Sequence, residues 1–208
     1  MQALAAVTYL MFLAYVANFL MLSAVAARQA GRSVWLFGSG RPRQRLTGAA
    51  FVAAFAGAIL WPPLRMWTGG FASDPVPARL QGLTAGLSGH LLVAVGGAVA
   101  LIAHYHMGAA WRMGAREGEQ GELVQTGPFA VSRNPVFLGQ LLLFAGLFLA
   151  FPDLVLVTIT ATMFLAVLVQ VRVEEAVLAR TFGDTYADYA ARVPRWIGSR
   201  RSSSGKGG

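Results

Sequence analysis

The chain has 208 residues, 56% of them hydrophobic and only 12% charged, with a formal net charge of +8 and a mean hydropathy of +0.55. An ordinary soluble domain carries about twice that charged fraction, so the composition excludes one and implies an integral membrane protein. The absence of cysteine removes disulfides, Cys-ligated metal and thiol catalysis together.

In chain order, the first apolar run covers 4–27 and approaches the ~20 residues a helical span needs. Ala24-Val25-Ala26 resembles a signal-cleavage site, but no basic residue precedes the run and it is longer than a signal core, so it is read as a retained span. The second run, 46–60, is short and is extended by Trp61-Pro62-Pro63 and Met66-Trp67, aromatic anchors of the interfacial kind. The third, 80–103, carries Gly82, Gly86, Gly89 and Gly96-Gly97, a small-residue face that lets helices approach closely.

A glycine-punctuated loop follows, from His104 to Arg133, too long for a mere connector. His104 and His106 lie near Glu117, Glu119 and Glu122, but a His-x-His pair fits no helical chelating spacing and no metal site is expected. The last apolar stretch, 136–171, is too long for one span. It divides at Pro152-Asp153 into a helical hairpin, 136–151 and 154–171. The final helix should run past the membrane to Phe182, stop at Gly183, and be followed by a short helix over 185–192 that ends before Pro194. The segment 198–208 is Gly, Ser and basic residues with almost nothing to bury, and is expected to be a disordered tail.

These elements predict an all-α polytopic membrane bundle of about five transmembrane helices in one domain, 1–197, whose chemistry is concentrated in 104–195. Of the 17 basic residues, all but Arg65 and Arg79 fall on one side of that arrangement. The positive-inside rule then puts the N-terminus outside and the C-terminus in the cytosol, with the cytosolic face drawn to anionic lipid headgroups. The basic residues are dispersed among spans and accompany no nucleic-acid-binding module, so nucleic acid is not an expected partner.

Two polar motifs stand at the cytosolic edge: Gly127-Pro128-Phe129 with Ser132-Arg133-Asn134-Pro135-Val136-Phe137-Leu138-Gly139, and Arg172-Val173-Glu174-Glu175. Asn at an N-cap and Pro at the first helical position explain Asn134-Pro135 structurally. They leave unexplained why Arg133 sits beside a helix N-terminus, where its charge is unfavourable and where a small ligand's anionic group would be welcome. Glu174 and Glu175 could be solvated charges, with Arg172 and Glu175 paired at i, i+3. Side chains one position apart point in different directions, however, so one carboxylate can face a bundle cavity while the other pairs. Trp111 and Arg112 read either as an interfacial anchor pair or as part of the site.

At these residues the chain resembles the isoprenylcysteine carboxyl methyltransferase and phospholipid methyltransferase superfamily of membrane enzymes. The likeness covers Met107-Gly108, Trp111-Arg112-Met113-Gly114, Leu123 to Phe129, Ser132 to Gly139, Arg172, Glu174-Glu175, Phe182-Gly183, Tyr186, Tyr189 and Val193-Pro194-Arg195. It implies S-adenosylmethionine as cofactor, contacted by Gly127, Pro128, Phe129, Arg133, Asn134, Pro135, Phe137, Gly139 and Glu175 (or Glu174 in its place). It also implies Arg172, Glu174 and Glu175 in catalysis, Trp111 and Arg112 against the substrate, and a lipid-embedded or small amphiphilic methyl acceptor entering from the membrane. The isoprenylcysteine enzymes usually carry His and Tyr where this chain has Asn134 and Phe137, whereas small bacterial members often read Arg-Asn-Pro, which suggests a bacterial inner-membrane protein. A nicotinamide-dependent (NADPH) membrane reductase of sterol-reductase-like architecture and a non-catalytic accessory protein are the alternatives.

Overall fold

The computed structural model describes residues 2–31, 33–34, 42–68, 82–111 and 122–198. Arg32, Arg41, Arg79, Arg112, Glu117, Glu119 and residues 199–208 of the expected tail lie outside them, as do the side chains of Arg43 and Ala109. Among the described residues the chain is helical, with no strand: α1 (Gln2–Ala30), α2 (Pro42–Thr68), α3 (Leu83–Met107), α4 (Pro135–Ala150) and α5 (Leu154–Arg192), with short 3-10 turns at Gly108–Ala110 and Gly127–Ala130. Helices α1, α2, α3 and α5 are long and apolar enough to cross a membrane, and α4 is a shorter apolar helix. With 16 residues, α4 spans about 24 Å.

Each helix buries one stripe and leaves the rest for lipid. In α1 the buried residues are Thr8, Phe12, Tyr15, Phe19, Ser23 and Ala26, recurring every three or four positions as one helical face does. Val7, Leu10, Leu20, Met21 and Val25 are exposed on the others. Helix α2 continues through Pro62 and Pro63 to Thr68, so the expected interfacial extension is part of the helix itself. Pro63 cannot donate to the Ile59 carbonyl, which would otherwise be orphaned in an apolar setting. The Tyr9 hydroxyl of α1 donates to that carbonyl instead.

Helices α3 and α4 form the tightest seam. A Cβ built on Gly96 would lie 2.5 Å from the Gly139 carbonyl oxygen, and one on Gly139 2.5 Å from the Gly96 oxygen; Gly89 and Gly146 repeat the reciprocal contact at 2.7 and 2.6 Å. Two glycine pairs seven residues apart on each antiparallel helix bring the backbones into direct contact, with dispersion over a long, smooth seam as the stabilising term.

The turn between α4 and α5 is capped by buried Asp153. Its Oδ1 accepts from Leu156 N at 2.7 Å, while Oδ2 accepts from Trp61 Nε1 at 2.9 Å and pairs with Arg65 at 3.1 Å. One carboxylate thus caps α5 and ties it to the far end of α2. The core above this clamp is aromatic: Phe12, Phe55 and Phe144 meet with centroids 5.0 to 6.3 Å apart, two of the three contacts edge-to-face. Helix α5 is straight only as far as Gly183; its part over 154–182 is about 43 Å long, well beyond the hydrocarbon thickness of about 30 Å, so its end projects beyond the span. Gly183, at φ +50° and ψ −124°, is not helical; the first helix stops there, as expected, and a second short one follows to Arg192.

Candidate active site

Above the aromatic core the bundle holds a cavity of about 440 Å³. One end is polar, with Arg133, Asn134, Glu174 and Glu122 on its wall; the other is apolar, with Val16 and Leu20 of α1 and Val52, Phe55 and Ile59 of α2. Leu20 and Val52 are more than half exposed, so the cavity opens sideways between α1 and α2. Those helices close against each other lower down, at Phe12–Phe55 and at the Tyr9–Ile59 bond.

The polar end is built by chain segments distant in sequence. Gly127, at φ +58°, starts a 3-10 turn, and its missing Cβ leaves room for the His106 ring, which would stand 2.7 Å from it; His106 Nε2 is itself 3.0 Å from Thr126 Oγ1. The turn delivers Phe129, whose carbonyl accepts from the Tyr189 hydroxyl at 2.8 Å. The extended segment after α5 then docks on the start of α4. Arg133 N donates to Pro194 O at 2.9 Å, Ser132 Oγ to Arg195 O at 3.3 Å, and Asn134 Nδ2 to Arg195 O at 3.2 Å.

This docking seats Arg195 on Glu175. Arg195 Nε lies 3.1 and 3.0 Å from the two carboxylate oxygens and Nη2 2.6 Å from Oε2, a forked charge-assisted pair. That hydrogen bonding raises the Arg195 pKa above its ordinary value, against a smaller opposing effect of burial. Arg133 Nη2 approaches Glu175 Oε1 at 3.4 Å, and Asn134 Nδ2 donates to the same oxygen at 3.2 Å. Arg133 Nε and the neighbouring Tyr186 hydroxyl are buried without a well-formed hydrogen bond.

Glu174 faces the other way, on the cavity wall. Gln170 Nε2 donates to its Oε1 at 2.9 Å, and the buried Gln170 amide is oriented in turn by Thr47 Oγ1 of α2, 2.7 Å from Gln170 Oε1.

Of the residues expected at the site, Trp111, Phe129, Arg133, Asn134, Pro135, Phe137 and Glu174 line the cavity. Trp111 is buried, donating from Nε1 to Ser23 Oγ at 3.1 Å and packed against the His104 ring at a tilt of 31°, with centroids 3.9 Å apart. Glu175 is held behind the wall by Arg195 and Arg133 rather than by Arg172, which is exposed. Gly127 and Pro128 shape the turn without lining the cavity, and Gly139 is committed to the seam with Gly96. Arg112 lies outside the described residues. The residues that sequence reasoning did not place at the site are Arg195, Gln140, Gln170 and Glu122. Among the described residues no three His, Asp or Glu side chains converge as a metal site would require.

The phospholipid methyltransferase family model matches residues 84–185, from the start of α3 to just past the break at Gly183. Over that stretch, just under half of its length, the chain is similar to this family of membrane methyltransferases. No curated protein matches it. The matched stretch contains the α3–α4 seam, the Gly-Pro turn, both glutamates and Arg133, whereas α1 and α2, which supply the apolar half of the cavity, precede it, and Arg195 follows it.

Proposed function

We propose that the protein transfers a methyl group from S-adenosylmethionine to a lipid-embedded or small amphiphilic acceptor, a phospholipid amine, an isoprenylcysteine-like carboxylate or a thiol, at the cytosolic face of a bacterial inner membrane. The observation that carries this reading is the two-ended cavity, polar beside Arg133 and Glu174 and apolar where it opens to lipid between Leu20 and Val52. A reaction between a charged cofactor and a lipid needs both ends in one space. The distribution of basic residues favours the cytosolic side.

The residues at the polar end fit that cofactor. Arg133, which lines the cavity, suits a carboxylate; Glu174 suits an ammonium or sugar hydroxyl; Phe129 and Tyr189 offer aromatic walls. Bound there, S-adenosylmethionine supplies an electrophilic methyl on a positively charged sulfur. The chain's own contribution is alignment and exclusion of water. Glu175 fixes Arg133, the Thr47–Gln170 pair fixes Glu174, and Trp111 and Arg112 hold the acceptor's head. With an amine acceptor, the proton that the nitrogen loses goes to Glu122, the other carboxylate on the cavity wall, Glu174 being committed to the cofactor; a carboxylate or thiolate acceptor needs no base. Arg172, exposed at the membrane edge, meets anionic headgroups as they approach.

The test is methyl transfer itself. Protein in mixed detergent–lipid micelles, given methyl-labelled S-adenosylmethionine, should carry label into the lipid fraction, and Arg133→Ala or Glu174→Gln should lower the rate by about 100-fold or more, as expected when a group aligning a reacting centre is lost. Folded protein that labels none of phospholipid amines, isoprenylcysteines and lipophilic thiols would contradict the proposal.

A further inference from the structure

The wall of the cavity carries one polar group well below its polar end. Gln140, on α4, is 3% exposed. Its Nε2 donates to the Tyr15 hydroxyl of α1 at 3.1 Å, while its Oε1 has no hydrogen-bond partner and the side chain lines the cavity. Gln140 is six residues along α4 from Asn134, or about 9 Å deeper, among Phe51, Phe55 and Phe137. An amide here is costly in an apolar wall unless something completes it. A fully apolar residue would serve packing better, and Tyr15 satisfies only one of the two ends of the amide.

We propose that Gln140 is a specificity-determining residue that selects acceptors bearing a hydrogen-bond donor, a hydroxyl or amide N–H, on the part of the lipid that lies at its own depth, about 9 Å below Asn134. This rests on the methyl-transfer reading of the same cavity. A hydrocarbon tail that begins directly behind the head group, such as an isoprenyl chain, would displace water from Oε1 and leave the acceptor bare. A hydroxyl in the backbone of the lipid replaces that water in kind. Because a hydroxyl both donates and accepts, it also satisfies the cavity-facing end if the amide is turned over, with Tyr15 donating to Oε1 and the NH2 group facing the ligand. A site built to pair a buried polar group discriminates chiefly by rejecting ligands that lack the complement.

Two single-chain probes isolate this group: palmitoyl lysophosphatidylethanolamine, with a free backbone hydroxyl, and its deoxy analogue, identical but for that hydroxyl. Titrated into the full-length protein in detergent, the hydroxylated probe should bind about tenfold tighter, the ratio one net hydrogen bond gives. In Gln140→Met, which keeps volume and removes the amide, the two affinities should converge. Tyr15→Phe, which frees the amide from its anchor, should narrow the ratio without removing it. Equal affinities in the unmodified protein, binding of neither probe, or an unchanged ratio in folded Gln140→Met would each overturn the assignment. The comparison on unmodified protein holds whether or not the variants fold. S-adenosylmethionine titrated in parallel separates the two levels: saturable cofactor binding with equal probe affinities removes only Gln140, whereas no binding of cofactor or of either probe removes the methyl-transfer reading with it.

Discussion

Glu174 and Glu175 are adjacent in sequence and opposite in role. Glu175 is clamped between Arg195 and Arg133 and holds the segment 193–195 against the start of α4; Glu174 lines the cavity on the arm of Gln170. Replacing Glu175 by Gln leaves two guanidinium groups facing each other in a mostly buried site, at a cost of about 3 kcal/mol. Glu175→Gln should therefore lower the thermal unfolding midpoint by several degrees and weaken cofactor binding only indirectly, through Arg133. Glu174→Gln should leave the midpoint nearly unchanged and abolish cofactor binding. A thermal melt and a titration on each variant distinguish the two residues, and identical behaviour would contradict the division. That one glutamate pairs and the other faces inward was legible from their spacing, because side chains one apart diverge. The pairing partner was not. Arg195 lies 20 residues downstream of Glu175, beyond the break at Gly183, and only the docked segment 193–195 brings it back. Gln140 and Gln170 were equally silent, since one amide in an apolar helix has no pattern that announces its partner.

At the scale of elements, Pro135 opens α4, Asp153 caps α5 and Gly183 breaks it through local chemistry that was readable. Asn134, a residue type that suggests a cap, does not cap α4 with its side chain; its amide goes instead to Glu175 and the Arg195 carbonyl, far along the chain. Gly139 shows the limit of a motif. The resemblance assigns it to the cofactor, yet its missing side chain is what lets α3 and α4 touch at Gly96, a contact between helices that no single segment encodes. Gly96→Leu should force the seam apart and cost about 3 kcal/mol, whereas Gly97→Ala, whose Cβ would meet nothing nearer than 3.6 Å, should be tolerated. Comparing their denaturation midpoints checks the seam. Asp153→Ala removes a helix cap, the Trp61 bond and the Arg65 pair together, and should destabilise by about 3 kcal/mol, measured in the same assay. A loss under about 0.5 kcal/mol would mean that the clamp contributes little.

For the whole molecule, composition alone identified a membrane bundle, and apolar run lengths placed its helices; the cavity was out of reach because it is defined by the divergence of α1 from α2, which sequence periodicity does not report. Its lateral opening has a direct consequence. The chain has no cysteine, so Val52→Cys provides a single labelling site at the opening. A bulky maleimide there should block methyl transfer to a lipid acceptor while leaving S-adenosylmethionine affinity unchanged. Retention of full lipid turnover after complete labelling would place the acceptor's entrance elsewhere.

Whether Arg133 and Glu174 mark a cofactor site at the polar end of a lipid-accessible cavity is decided by calorimetric titration of folded, detergent-solubilised protein with S-adenosylmethionine and, separately, NADPH. S-adenosylmethionine should bind saturably and lose that binding in Arg133→Ala and in Glu174→Gln, and NADPH should not bind. Binding of NADPH alone, or S-adenosylmethionine binding that survives both substitutions, would contradict that assignment.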